Sequence, residues 1–544
     1  MNGRPAKAKT SVCWFAPLQL LRTAQQVAIA TVFGQNADAR VIEALARPLA
    51  GTTLGPGTLA KTAEDARRTP GIHDYSGKHT PFWIDYIADT GDGWDATYTV
   101  AYYASQPTLA LGRAEAAQGT PLLSTRRGDI LILGGDEVYP FANYEDYERR
   151  LVLPYSCAFP PDEAGSHDSP EVFAIPGNHD WYDSLVSFSR LFCSKQSFAG
   201  WRTPQTRSYF ALKLPGSWWL LGTDIQLGSE IDGPQREFFQ AVAEGMTPEG
   251  PGGVQKIIAG GGGAFGHVTF GPDDSSLRRR RVSDDAVVQG RLPAEDVATG
   301  YEKLCVYPPV RTSFLSAAAL PFLFHWKNPT FGLATAVAYG ITGEALLHPN
   351  TVASSLDAMG REALARVFTD PFSLFWLVTI VFGVIFFTDT HSPAYRWTGG
   401  FVHSVTQVVA ALLVAWAAAV ATQDAIGAES IWQPLATIVL TALGGYLVGP
   451  LILSLYLVIS LLAFRRHRND VSSALRSPHF KNFMRLTIDE NGTLTIFPIG
   501  ICKAATKWTA VTGGGSKLMP QNGTEPILIE EPVSFPPPLR AADR

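Results

Sequence analysis

The sequence predicts an α/β soluble domain fused to a multi-span α-helical membrane domain. Three observations carry this. Short apolar, strand-like runs recur between residues 81 and 228, and several end in Asp or in Gly plus a polar residue. The stretches 371–388 and 401–422 contain no Asp, Glu, Lys or Arg and are long enough to span a bilayer. At 544 residues the chain is too long for one ordinary domain.

From the N-terminus, the stretch "SVCWFAPLQLLRTAQQVAIATVF" is interrupted by Arg22, Gln25 and Gln26. It therefore reads as an amphipathic helix from about Pro17 to Leu45 and not as a signal peptide. Residues 1–75 form this N-terminal helical region, and what precedes the first span is expected to stay cytoplasmic. The runs "FWIDYIAD", "DILILGGD", "EVFAIPGNHD", "SYFALKL" and "SWWLLGTDIQL" then read as strands of a domain covering 76–310. A membrane domain of about four helices is expected over 311–465. "WQPLATIVLTALGGYLVGPLILSLYLVISLLAF" (432–464) reads as one tilted or kinked helix around Gly444, Gly445, Gly449 and Pro450. "FGLATAVAYGITGEALL" (331–347), with Glu344, is the fourth candidate. After the spans, residues 466–544 alternate apolar and polar around Asn491-Gly492, a hairpin signal. From Gly513 the chain reads as a linker or disordered end.

Arginine runs lie at 278–281 and 465–468, whereas the 423–431 loop has no Lys or Arg. By the positive-inside rule both soluble parts face the cytoplasm, which predicts a multi-pass protein of the cytoplasmic (plasma) membrane. A formal charge of −5 gives no reason to expect nucleic acid as a partner. Five scattered cysteines without CxxC spacing argue against a disulfide framework or zinc knuckle and fit a reducing compartment.

Strands that end at one edge, with carboxylates in the following turns, build a metal site at the carboxyl end of a sheet. Hard or borderline cations need converging oxygen and nitrogen ligands, and glycine before each ligand lets the backbone turn sharply. "ADTGDG" (88–93), "GGDEVY" (134–139) and "GNHD" (177–180) each stand at such a strand end.

These three motifs resemble the motif series of calcineurin-like metallophosphoesterases, and the likeness extends over about 80–270. The resemblance implies a four-layer α/β/β/α sandwich. It implies Asp89 as a ligand of a first metal, Asp136 as a bridging carboxylate and Asn178 on a second metal. His179 would stand beside the leaving group, steered by Asp180. The implied cofactors are up to two divalent or ferric ions (Mn, Fe or Zn), and the implied activity is hydrolysis of a phosphate ester by a two-metal hydroxide mechanism. The implied partners are that substrate and the lipid bilayer. "DTG" with "GDEVY" is similar to the purple-acid-phosphatase form of the motifs. That form makes Tyr139 a phenolate ligand; the alternative is a ring packed in the core or a hydroxyl donating an ordinary hydrogen bond.

The family also uses later histidines to complete both metals. Between "DIQL" (224–227) and "AGGGGAF" (259–265) there is no histidine, and "EGMTPEGPGGVQK" (244–256) reads as a junction where a segment is missing. His267, after Gly266, is either a substitute ligand or a loop histidine. "GGGGAFG" lacks the Lys-Ser/Thr of a phosphate loop and reads as a tight turn near the site. Two readings follow: a membrane-anchored phosphoesterase impaired by lost histidines, or an inactive relative serving as membrane scaffold or regulator.

Overall fold

The structure, a computed structural model, describes residues 4–33, 71–113, 123–159, 169–194, 197–225, 231–245, 259–270, 306–347, 355–388, 392–511 and 516–537. The arginine run at 278–281, the N-terminal helix beyond Phe33 and residues 246–258 of the histidine-free junction lie outside them.

Helix α1 (Pro17–Phe33) opens the chain. In the soluble part, β1 (Ile72–Asp74) and β2 (Phe82–Ile87) are followed by α2 (Trp94–Ala104), β3 (Thr108–Arg113), β4 (Leu123–Arg126), β5 (Ile130–Leu133), α3 (Leu153–Ala158) and β6 (Glu171–Ala174). Next come β7 (Ser197–Phe198), β8 (Trp201–Arg202), β9 (Phe210–Lys213), β10 (Trp219–Gly222) and α4 (Gly233–Gly245). All five predicted apolar runs are strands. β2, β5 and β6 are parallel neighbours, Ile84 pairing with Ile130 and Ile130 with Glu171. Every residue of β5 is buried, as a parallel strand covered on both faces requires.

One face of this sheet carries α2 and α3, whose Tyr98 and Tyr155 share a core with Leu131, Leu133 and Val172. The other face meets a small sheet in which β9 lies between β1 and β10. There Phe210 and Leu212 pack on Phe82, Ile84, Ile132 and Phe173. Phe238 and Val242 of α4 cover the far side of β9 at Tyr209 and Ala211.

The helical part comprises α5 (Val310–Ala318), α6 (Leu320–Lys327), α7 (Pro329–Leu346), α8 (Leu356–Thr369), α9 (Pro371–Phe387), α10 (Pro393–Ile426), α11 (Gln433–Phe464) and α12 (Arg468–Leu475). Among the described residues two helices, α10 and α11, are long and apolar enough to cross a membrane, or three if the bent pair α8–α9 counts as one span. About four spans are expected from the sequence, and these two or three are the ones that reach that length and composition among the described residues. α9 is 17 residues long, about 25 Å at 1.5 Å per residue, and α8 meets it at 102°. Glu344 and the glycines and threonines of α7 dilute its apolar character. Leu440, Leu443, Leu447 and Leu451 make an exposed apolar stripe on α11, the surface a lipid-facing helix presents. α11 is continuous, as predicted, but its glycines serve packing. A Cβ on Gly445 would come 2.5 Å from that of Tyr339, and one on Gly449 2.5 Å from that of Thr335, so α7 approaches closely there.

The chain then returns to the soluble sheet. β11 (Lys481–Ile488) and β12 (Leu494–Ile501) form the hairpin predicted at Asn491-Gly492. The carboxylate of Asp489 accepts from the amides of Asn491 and Thr493, and Gly492 has φ +80°. β11 pairs antiparallel with β2, from Phe82↔Ile488 to Tyr86↔Met484. A boundary after residue 310 therefore divides strands that are hydrogen-bonded neighbours. β13 (Trp508–Ala510), β14 (Leu518–Pro520), β15 (Ile527–Leu528) and β16 (Val533–Phe535) follow. β15 and β16 pair with β12, and β15 also with β3. The expected linker or disordered end is thus corrected over the described residues 516–537. Its low apolar content does not prevent short strands from adding by backbone hydrogen bonds to an existing sheet edge.

Candidate metal site at the strand ends

β2 and β5 end side by side, and each delivers an aspartate at the same turn geometry. Asp89 has φ +63° and Asp136 φ +53°, the left-handed region that costs a non-glycine residue about 1 kcal/mol. The loops interlock by backbone bonds from the Asp89 amide to the Gly135 carbonyl (2.9 Å) and from Thr90 to Asp136 (3.0 Å). Two glycines permit this approach. A Cβ on Gly91 would lie 1.9 Å from the Glu137 carbonyl oxygen, and one on Gly177 2.0 Å from Oδ1 of Asp136. Strain held in place by two neighbouring strands marks a functional site more often than a simple turn cap.

Four predicted donors meet in one chain of hydrogen bonds. The Tyr139 hydroxyl lies against Oδ1 of Asp89 and 3.0 Å from Oδ2 of Asp136, and His267 Nε2 is 3.0 Å from Oδ2 of Asp89. Tyr139 therefore faces both carboxylates although its ring is buried, and His267 is at the site. Burial raises Asp89, but the hydrogen bond and charge of His267, with Tyr139 and Lys481, overturn this and hold it below the usual carboxylate range. Burial raises Asp136; His179 opposes the shift, while the charges of Asp180 and Asp89 add to it.

The GNHD loop is placed less as the resemblance implies. The His179 amide donates to Oδ1 of Asp136 (3.0 Å), and its ring Nδ1 donates to the Pro140 carbonyl oxygen (2.9 Å). A carbonyl can only accept, so Nδ1 carries a proton and Nε2 is left for a ligand. The orienting role expected of Asp180 thus falls to Pro140. Asp180 is fully buried and accepts from the amides of Gly177 (2.8 Å) and Glu137 (3.2 Å) and from the Tyr147 hydroxyl, which staples the two acidic loops together. Burial and then the charge of Asp180 raise Glu137 well above its ordinary value. The side chain of Asn178 is exposed, although the residues on either side of it touch Asp136.

Two contributors were not legible as site residues. Trp14, from the segment before α1, meets the rings of Tyr139 (5.8 Å between centroids), His179 (5.7 Å) and Phe265 (5.9 Å) edge-on. Lys481 of β11 is fully buried and donates to the Ala264 carbonyl. Burial lowers its pKa to about 8 against the pull of Asp89 and Asp92. The glycine-rich stretch is the tight turn its sequence predicts. Its Gly262 and Ala264 amides bond the carbonyls of Ala88 (2.9 Å) and Asp89 (3.0 Å).

Two carboxylates, a phenol and an imidazole suit one hard or borderline cation. They are hydrogen-bonded to each other, and among the described residues no group of three or more His, Cys, Asp or Glu is spaced to hold an ion. The donor types would suit one cation if those hydrogen bonds were exchanged for it. They do not suit two, since beyond the shared Asp136 the second half offers only the neutral Asn178 amide. The chain matches no protein-family model, no curated protein and no solved structure.

Proposed function

We propose that the protein is a membrane-anchored phosphoesterase of the calcineurin-like type, reduced to a single-cation site and slow in hydrolysis. The observation carrying this reading is the convergence of two left-handed strand-end aspartates, Asp89 and Asp136, on one phenol, Tyr139. The helix, sheet, sheet, helix stacking around β2 and β9 supports the four-layer sandwich that the motifs imply.

Asp89, Asp136, Tyr139 and His267 would hold the cation. When bound, it supplies an acidified water and neutralises phosphoryl oxygens. Asp89 stays ionised at neutral pH and gives the site a fixed negative charge. His179, locked in one tautomer by Pro140, holds Nε2 ready to move a proton at the leaving oxygen of a phosphate ester. Lacking a second cation, one side of the phosphoryl group is unclamped. Turnover of an aryl phosphate is therefore expected to be weak, to require added Mn or Fe, and to vanish on chelation. Fast hydrolysis insensitive to chelators would overturn the proposal.

A second reading, an inactive scaffold or regulator, is favoured by Trp14, whose ring packs on His179 and Tyr139. Trp14→Ala separates the two. Gain of metal-dependent hydrolysis supports a covered phosphoesterase site, and no hydrolysis in either form supports the scaffold.

The proposed setting is the cytoplasmic face of the plasma membrane. One crossing by α11 (Gln433–Phe464) would put 423–429 and Asn469 on opposite sides. Reporter fusions at these two places should differ in accessibility, with Asn469 cytoplasmic; reporters on one side would contradict the topology.

A further inference from the structure

A cavity of about 330 Å³ lies where the soluble sheet meets the helical part, and none of Asp89, Asp136, Tyr139, His179 or His267 lines it. Its walls come from the N-terminal segment (Arg4, Lys9), the start of α2, the end of α6 (Trp326, Lys327) and the turn after α12 (Arg476). Four cationic side chains face two carboxylates, Asp92 and Asp95. Both carboxylates already have donors within the protein. Asp95 is paired with Arg4 and accepts from Trp508 Nε1 (3.2 Å), and Asp92 accepts from the Val12 amide (2.7 Å).

Of the four cations, Arg4 pairs with Asp95 and Lys9 with Glu145, while Lys327 and Arg476 have no carboxylate partner among the described residues. Arg476 spends its terminal nitrogens on the carbonyls of Lys327 (2.9 Å) and Ser11 (3.1 Å). Yet Nε of Arg476 and Nε of Arg4 are buried with no acceptor among the described residues, as is Nε1 of Trp94, which also lines the cavity. Four cationic residues against two carboxylates leave the cavity net positive, which suits an anion with several acceptor oxygens.

The surroundings indicate where that anion comes from. Trp326 is 86% exposed and Phe322 of the same helix 80%, a rim suited to the headgroup layer of a bilayer. The volume exceeds that of bare phosphate and suits a phosphate ester of a small polyol.

We propose that this cavity is a binding site for a phosphate ester of a small polyol, presented by an anionic lipid headgroup or by a soluble metabolite. The full chain, purified in neutral detergent with chelator present, is titrated calorimetrically with glycerol 3-phosphate and, separately, with phosphatidate in phosphatidylcholine micelles. Lys327→Gln and Arg476→Gln should each weaken binding about tenfold or more, while Asp136→Asn binds like the wild type. Lys327 makes no side-chain ion pair among the described residues, so this variant tests the cavity even if Arg476→Gln fails to fold. Binding of both ligands assigns recognition to the phosphate group. Binding of phosphatidate alone assigns it to the membrane, and of glycerol 3-phosphate alone to a soluble ligand. No binding of either, or binding that Lys327→Gln leaves unchanged, overturns the site.

Discussion

Replacing Arg485 by Met is expected to destabilise the soluble domain by about 3–5 kcal/mol, because it strands a buried carboxylate. Arg485 sits on β11 with no exposed surface. Its Nε bonds Asp85 of β2 (3.0 Å), and its terminal nitrogens bond Thr125 Oγ1 (3.2 Å) and the carbonyls of Ala104 (2.9 Å) and Gln106 (3.3 Å). One side chain thus ties a strand from after the membrane helices to β2, β4 and the end of α2. Burial already raises Asp85, and Arg485 and the Gly128 amide are what hold it back. Without Arg485 the carboxylate must protonate or leave the core. In a domain of this size the thermal midpoint should fall by about 10 °C. Adding Asp85→Leu should recover part of the loss, since removing both partners is milder than removing one. Arg485→Lys should not restore the wild-type midpoint, because one ammonium cannot reach all four acceptors. An unchanged midpoint for Arg485→Met would mean that β11 does not close on β2.

Asp136→Asn is expected to weaken metal binding by more than about 100-fold, beyond the loss seen when an outer-shell partner is removed. Asp136 is the carboxylate that both Tyr139 and the GNHD loop touch, through 3.0 Å bonds from the phenol and from the His179 amide. An amide of the same shape keeps the loops together but removes the charge. His179→Ala should leave metal affinity near wild type and lower the rate by about 10²–10⁴, the range of a lost proton donor. Equilibrium binding of Mn(II), measured beside aryl phosphate hydrolysis, distinguishes the two. Equal loss of affinity in both variants would show His179 to be a ligand and not a proton carrier.

Much of the soluble core was legible because its signals are local. Apolar runs such as "ILIL", closed by Gly-Asp, state both a buried strand and the turn that follows it, and Asn491-Gly492 states a hairpin. Convergence of Asp89 and Asp136 is what the family resemblance of the motifs implies, and Tyr139 joins them where the sequence left its place open. What escaped is non-local. The bond between Arg485 and Asp85 joins residues 400 positions apart, and no periodicity announces which strand β11 will join. Trp14 reaches the site from a segment whose apolar residues read as the start of a helix. The His179 tautomer depends on a backbone carbonyl, which sequence does not distinguish. The membrane helices are a different case. Composition marked 371–388 as apolar, but a helix of 17 residues set at 102° to its neighbour is a matter of length and turn geometry.

The most direct test is the number of metal ions held by the purified full chain, counted after loading with Mn(II) or Fe and removal of loose ions. One equivalent, lost in Asp136→Asn and retained in His179→Ala, is the predicted result. Two tightly held equivalents with brisk phosphate-ester hydrolysis would contradict it, and would mean that other residues replace the histidines missing from 228–259.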